Sequence, residues 1–169
     1  MRLCCALLIG ALLSAGCSRA RVRTEPLAPM GTFVGLEYSG QLPGTRTLVG
    51  LLLDEVDSTE YALEYLIQEQ AADTLLVLQR MLRRDVSGVP TWRVLASVRA
   101  PSVPAEHRLE FAVCQLRGVV ERNVFALVKT RDTYRLDDVR AAWRADPISR
   151  TFESVPVGDM SCANESFEP

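Results

Sequence analysis

From Thr91 to Arg99 the chain alternates, with Trp92, Val94, Ala96 and Val98 on one side and Arg93, Ser97 and Arg99 on most of the other. A period of two is the signature of an extended strand, because a helix repeats its faces every ~3.6 residues. A strand leaves its backbone donors and acceptors unpaired, so it demands neighbours. The nearest candidate is Thr74 to Leu82. The segment between them, Arg83-Arg84-Asp85-Val86-Ser87-Gly88-Val89-Pro90, carries Ser-Gly and proline turn chemistry, which predicts a hairpin. Leu109 to Leu116 and Asn123 to Thr130 flank Arg117-Gly118 and read as a second hairpin, and Thr151 to Val157 as a last short strand.

Other stretches carry weaker patterns. Glycines and a proline crowd the region from Gly31 to Gly50, so it is expected to be loop-rich with short strands at best. Leu48 to Leu53 is a compact apolar run whose period does not separate helix from strand. Ser58 to Ala72 supports both: Asp57-Ser58-Thr59-Glu60 has capping-box chemistry, yet Tyr61, Leu63, Tyr65 and Ile67 alternate. The forming meander tips that stretch toward strand. Thr133 to Ala145 is expected to be a helix, since Leu136, Val139 and Trp143 share a helical face and Asp137 and Asp138 precede Arg140 and Arg144. Asp146-Pro147 would end it. The expected fold class is α+β: a mainly antiparallel sheet covered by one helix over about 133–145. Trp92 and Trp143 are expected in its core, in contact across the sheet-helix interface.

The first residues carry a different signal. Met1-Arg2 precedes an apolar run from Leu3 to Leu13, about 11 residues long. That is too short to span a ~30 Å hydrocarbon core but suits the h-region of a secretory leader. Ser14-Ala15-Gly16-Cys17 follows, and this quartet resembles the lipobox of bacterial lipoproteins, with Ser14 where leucine is most usual. The resemblance covers the leader alone. It implies that Cys17 receives a thioether-linked diacylglycerol, that the leader is cut before it, and that the new amine is acylated. Two or more acyl chains anchor stably where one does not. In that family Ser18, rather than an aspartate, implies the outer membrane. Residues 18 to 30, with Arg19, Arg21, Arg23, Pro26 and Pro29, then read as a tether reaching ~20 Å. Its arginines lie where anionic headgroups would be.

Processing would remove Cys4 and Cys5 and occupy Cys17, which leaves Cys114 and Cys162. Two thiols in an oxidising compartment are expected to pair, closing a loop worth about 4 kcal/mol on the chain-entropy account. The net charge of -2 and the single lysine, Lys129, give no basic stripe for nucleic acid. Apolar residues at 48% and charged ones at 24% match a globular chain rather than a disordered one.

No catalytic motif stands out. His107, the sole histidine, lies in Pro104-Ala105-Glu106-His107-Arg108 and reads as an exposed loop residue. Asp54, Glu55, Asp57 and Glu60 lack the alternate oxygens and glycine of a calcium loop and read as a solvated turn. Gly40 to Thr47 is one residue short of a phosphate loop and has arginine in place of its lysine. Metal ligands and cofactors are not expected.

The expected organisation is a signal peptide (1–16), a lipidated tether (17–31) and a single periplasmic α+β domain (32–169). Function is expected to be that of an outer-membrane-anchored binding or interaction module of the cell envelope. Its partners would be the membrane, through the lipid, and an envelope protein or polymer. The alternatives are an envelope hydrolase whose site forms only in three dimensions, and an inhibitor of an envelope-degrading enzyme. Several convergent carboxylates with raised pKa values in a cleft would favour the enzyme; an exposed apolar patch ringed by arginines would favour the binding module.

Overall fold

The computed structural model describes Pro26, Leu27, Met30 and residues 33–167. Cys17, the leader and most of the tether lie outside the described residues. Thirteen strands follow in order. The first five are β1 (Glu37–Ser39), β2 (Thr45–Leu52), β3 (Tyr61–Gln68), β4 (Thr74–Arg84) and β5 (Pro90–Arg99). They form one antiparallel sheet in the order β1-β5-β4-β3-β2. A second sheet, β12-β11-β9-β6, contains β6 (His107–Phe111), β9 (Val124–Lys129), β11 (Val139–Asp146) and β12 (Thr151–Val155). A third, β10-β13-β7-β8, contains β7 (Cys114–Leu116), β8 (Val119–Val120), β10 (Arg135–Leu136) and β13 (Met160–Ala163).

The expected α+β class is overturned. The described residues contain no helix, and the segment expected to be one is β10 and β11. Its burial explains the misreading. β11 sits inside its sheet between β9 and β12, and both its faces are covered. Ala141, Trp143 and Ala145 pack toward the first sheet, while Val139 and Ala142 pack toward the third. A strand buried on both sides loses its polar-apolar alternation. What remains is an alanine- and arginine-rich string with good intrinsic helix propensity, a preference that partner strands readily override. Asp137 and Asp138 therefore serve no helix dipole; Asp138 pairs with Arg131 at 3.0 Å.

The second sheet is the middle layer. Its inner strand β9 is buried from Val124 to Val128, with alternate residues entering opposite cores. Toward the first sheet lies an aromatic row. Phe111, Phe125 and Trp143 stand opposite one another on β6, β9 and β11, with ring centroids 5.7 and 5.5 Å apart. Tyr65 of β3 continues the row at 5.7 Å from Phe111, and Phe152 meets Phe125 edge-on at 6.1 Å. Toward the third sheet lie Val124, Ala126, Val128 and Ala142, facing Leu136, Met160 and the Cys114–Cys162 pair.

The first hairpin stands as expected: β4 pairs with β5. The second is corrected. β6 does pair with β9, but Arg117-Gly118 turns the small β7-β8 hairpin of another sheet. Thr45–Leu52 is an eight-residue strand, longer than expected for that glycine-rich region. The expected contact between Trp92 and Trp143 is also absent. A bulge at Leu95 sets Ala96 opposite Leu78 and Val94 opposite Gln79, so the alternating set splits. Trp92 and Val94 face the outer side of the first sheet; Ala96 and Val98 join Trp143 inside. At the N-terminal side, Leu27 packs on the inner core and Met30 on the outer one, where the Met30 N–H donates to Ser97 O at 2.7 Å.

Candidate functional site

Of the residues assigned roles from sequence, Cys114 and Cys162 form a disulfide, standing directly opposite each other on β7 and β13. Both are buried, so the bond braces the third sheet rather than offering a reactive thiol. The tail it secures is also held by other means. β13 lies between β10 and β7, and buried Asn164 links three segments. The Asn164 amide donates to Arg131 O at 3.1 Å and Thr133 O at 2.9 Å, and its Oδ1 accepts from Arg108. Cys17, the third such residue, lies outside the described residues.

The convergence of polar groups that sequence reasoning missed lies on the outer face of the first sheet. One half of that face is covered by Phe33, Leu42 and Met30, which pack on Leu66, Leu75, Val77 and Val94. The other half is open. There Ala62, Glu64, Gln79 and Trp92 surround a cleft of about 140 Å3 whose mouth is the Gly50–Leu52 stretch of β2. Strand register places Gly50 directly across from Glu64, and a glycine there leaves the carboxyl uncovered. A Cβ built at Gly50 would find only Thr47 Cγ2, at 3.8 Å, so the space in front of Glu64 is free.

Two polar side chains of the lining, Glu64 and Gln79, share a hydrogen-bonding cluster with Tyr38. Tyr38, reaching over from β1, has its hydroxyl within hydrogen-bond reach of Gln79 Oε1 and 3.4 Å from Glu64 Oε2. Gln79 is almost fully buried in the middle of β4. Burial pushes the Glu64 carboxyl above the ordinary glutamate range, against hydrogen bonds from Gln79 and Tyr38 that favour its ionised form. Burial likewise pushes the Tyr38 phenol up, and the neighbouring Glu64 charge adds to it. No cationic side chain among the described residues pairs with Glu64. Glu64 has a sequence signal in hindsight: it interrupts the apolar string Tyr61-Ala62-Leu63-Glu64-Tyr65-Leu66-Ile67. A charged residue within a strand that is otherwise buried calls for a partner or a purpose.

The remaining sequence candidates are dispersed. His107 is not a loop residue: it opens β6, half-buried, and its Nδ1 is buried without a hydrogen-bond partner. The acidic run is a tight turn, with Asp57 and Ser58 at φ of 50° and 59° and a two-way backbone bridge from Val56 to Thr59. Glu60 pairs with Arg84 at 2.7 Å. Within Gly40 to Thr47, the Thr45 hydroxyl donates to Leu42 O at 2.7 Å, and β2 begins at Thr45. Among the described residues, no three His, Cys, Asp or Glu side chains converge as a metal ion would require. Comparison of the chain with protein-family models, with curated proteins and with solved structures finds no match in any of the three.

Proposed function

We propose that this chain is a binding module of the bacterial cell envelope, anchored to the outer membrane through Cys17, with the Glu64 cleft as its recognition site. The observation that carries the proposal is the set of groups in that cleft. A partly buried carboxyl and an amide, both within reach of the Tyr38 hydroxyl, meet an indole and an aliphatic rim on a sheet face. A few fixed polar groups among apolar walls are what recognition sites are built from. The cleft holds one carboxyl, whereas acid-base hydrolysis of glycosides draws on two, and a nucleophilic mechanism needs a base beside its nucleophile. The set is therefore suited to holding rather than to turning over.

The test is a thermal-shift measurement on the full chain in mild detergent, with and without washed envelope material. A ligand at 100 times its Kd stabilises by ~2.7 kcal/mol, roughly 5–10 °C for a chain of this size. The wild type should gain that shift and Gly50→Leu, which fills the cleft mouth, should not. No shift in the wild type, or an equal shift in both, would refute the proposal.

A further inference from the structure

We infer that the cleft takes the arginine or lysine side chain of an extended partner polypeptide, which lies along the free edge of β2. The inference rests on the binding-module proposal above and adds the ligand's chemistry and its mode of docking. Three observations carry it.

The first is charge. Glu64 sits in a partly buried position with no cation among the described residues paired with it; Trp92 lines the same cleft and the Tyr38 hydroxyl lies 3.4 Å away. A carboxylate beside an indole is complementary to an ammonium or guanidinium group, through a charge-assisted hydrogen bond and the attraction of a cation to a ring. The second is size. About 140 Å3 is well below the ~300–1,000 Å3 of a small-molecule pocket, so the space suits one slender side chain rather than a whole ligand.

The third is position. The cleft opens across Gly50, which belongs to β2, and among the described residues β2 has a strand neighbour on one side only. That free edge reads Leu48-Val49-Gly50-Leu51-Leu52, with Leu48 41% and Leu52 63% exposed. Edge strands are commonly guarded by charge, proline or a bulge. Here a bulge separates Thr47 from Val49, and beyond it no charge or proline interrupts the edge. An extended peptide paired to that edge would gain main-chain hydrogen bonds and would project alternate side chains toward the outer face, beside the cleft mouth.

The test uses the full chain in nonionic detergent and a capped threonine-valine peptide as long as β2, eight residues, with one central arginine. A matched peptide carries citrulline, the neutral isostere, and free propylguanidinium is a third probe. Titration calorimetry should show the arginine peptide binding the wild type roughly tenfold or more tightly than the citrulline peptide. That advantage should vanish in Glu64→Gln, which keeps the hydrogen bonds to Tyr38 and Gln79, and in Gly50→Leu. Amide NMR shifts should concentrate on Val49 to Leu52 and spare the β8 and β10 edges. Equal binding of both peptides, shifts centred elsewhere, propylguanidinium binding as tightly as the peptide, or no binding at all would each overturn the inference. If the envelope-dependent thermal shift persists through such a result, the binding-module proposal stands and only the cationic strand falls. If that shift is absent too, both fall.

Discussion

Replacing Phe125 by alanine should be among the most damaging single changes to this fold. The ring is fully buried at the centre of the middle sheet, with Phe111 and Trp143 on either side and Phe152 edge-on. A Phe→Ala change in a core costs ~3–5 kcal/mol through lost transfer energy and the residual cavity. Three ring pairs add ~0.5–1.5 kcal/mol each beyond area burial, so the expected cost lies at the upper end, about 4–5 kcal/mol. The cavity also resists collapse, because Phe125 and its row neighbours are pinned by backbone pairing on both flanks of β9. Against a total stability of ~5–15 kcal/mol, such a loss shifts a urea midpoint by molar amounts. Equilibrium urea unfolding, followed by tryptophan fluorescence and circular dichroism, measures it. Phe152→Ala is the control: that ring is half-buried at the edge of the row, and its removal should cost about 2 kcal/mol. A Phe125→Ala cost below about 1.5 kcal/mol, or one no greater than that of Phe152→Ala, would refute a packed interface between the first and second sheets.

Exchanging Cys114 and Cys162 together for alanine should lower stability by about 4 kcal/mol, yet leave β13 paired, so amide exchange at Ser161 and Ala163 should stay slow in the native state. Asn164→Ala should cost about 1–2 kcal/mol in the same urea assay, because it removes a buried amide that bonds the carbonyls of Arg131 and Thr133 and leaves Arg108 without its amide partner. Glu64 gives a pH signature. Its folded carboxyl holds its proton above the unfolded value near 4.5, so the native state binds more protons and stability falls as pH rises through that window. Glu64→Gln, which cannot ionise, should therefore gain on the wild type as pH rises from the unfolded value through the raised folded one; a stability gap that does not change with pH would contradict this.

The parts of the fold that were legible in the sequence are those where side chains alternate or turn residues mark the ends. β4 and β5 announce themselves because arginines mark solvent or the rim and a proline-glycine turn joins them. The strand at Tyr61–Gln68 was readable from Tyr61, Leu63, Tyr65 and Ile67, whose alternation outweighed a capping-box signal that belongs to a tight turn. In the middle layer β6, β9 and β12 were legible as strands, but β11 was not. β11 is covered on both faces, which erases the period-two pattern and leaves only local propensity. Bulges hid more: the extra residue at Leu95 reverses the facing of the strand halfway along, a change no periodicity count detects. The disulfide followed from counting thiols, whereas the cleft depends on Glu64, Gln79 and Trp92 meeting from three strands. Only the lone carboxylate in an apolar string hinted at it.

The most direct test of recognition at the Glu64 cleft is site-specific photocrosslinking in native envelopes. One variant carries a photoreactive residue at Leu52, on the cleft's rim, and another carries it at Ile148, in the exposed turn after β11. A cleft that recognises a partner predicts a discrete adduct from position 52 that disappears when Gly50→Leu is added, and none from position 148. Equal adducts from both positions, or an adduct at 52 that survives Gly50→Leu, would contradict it.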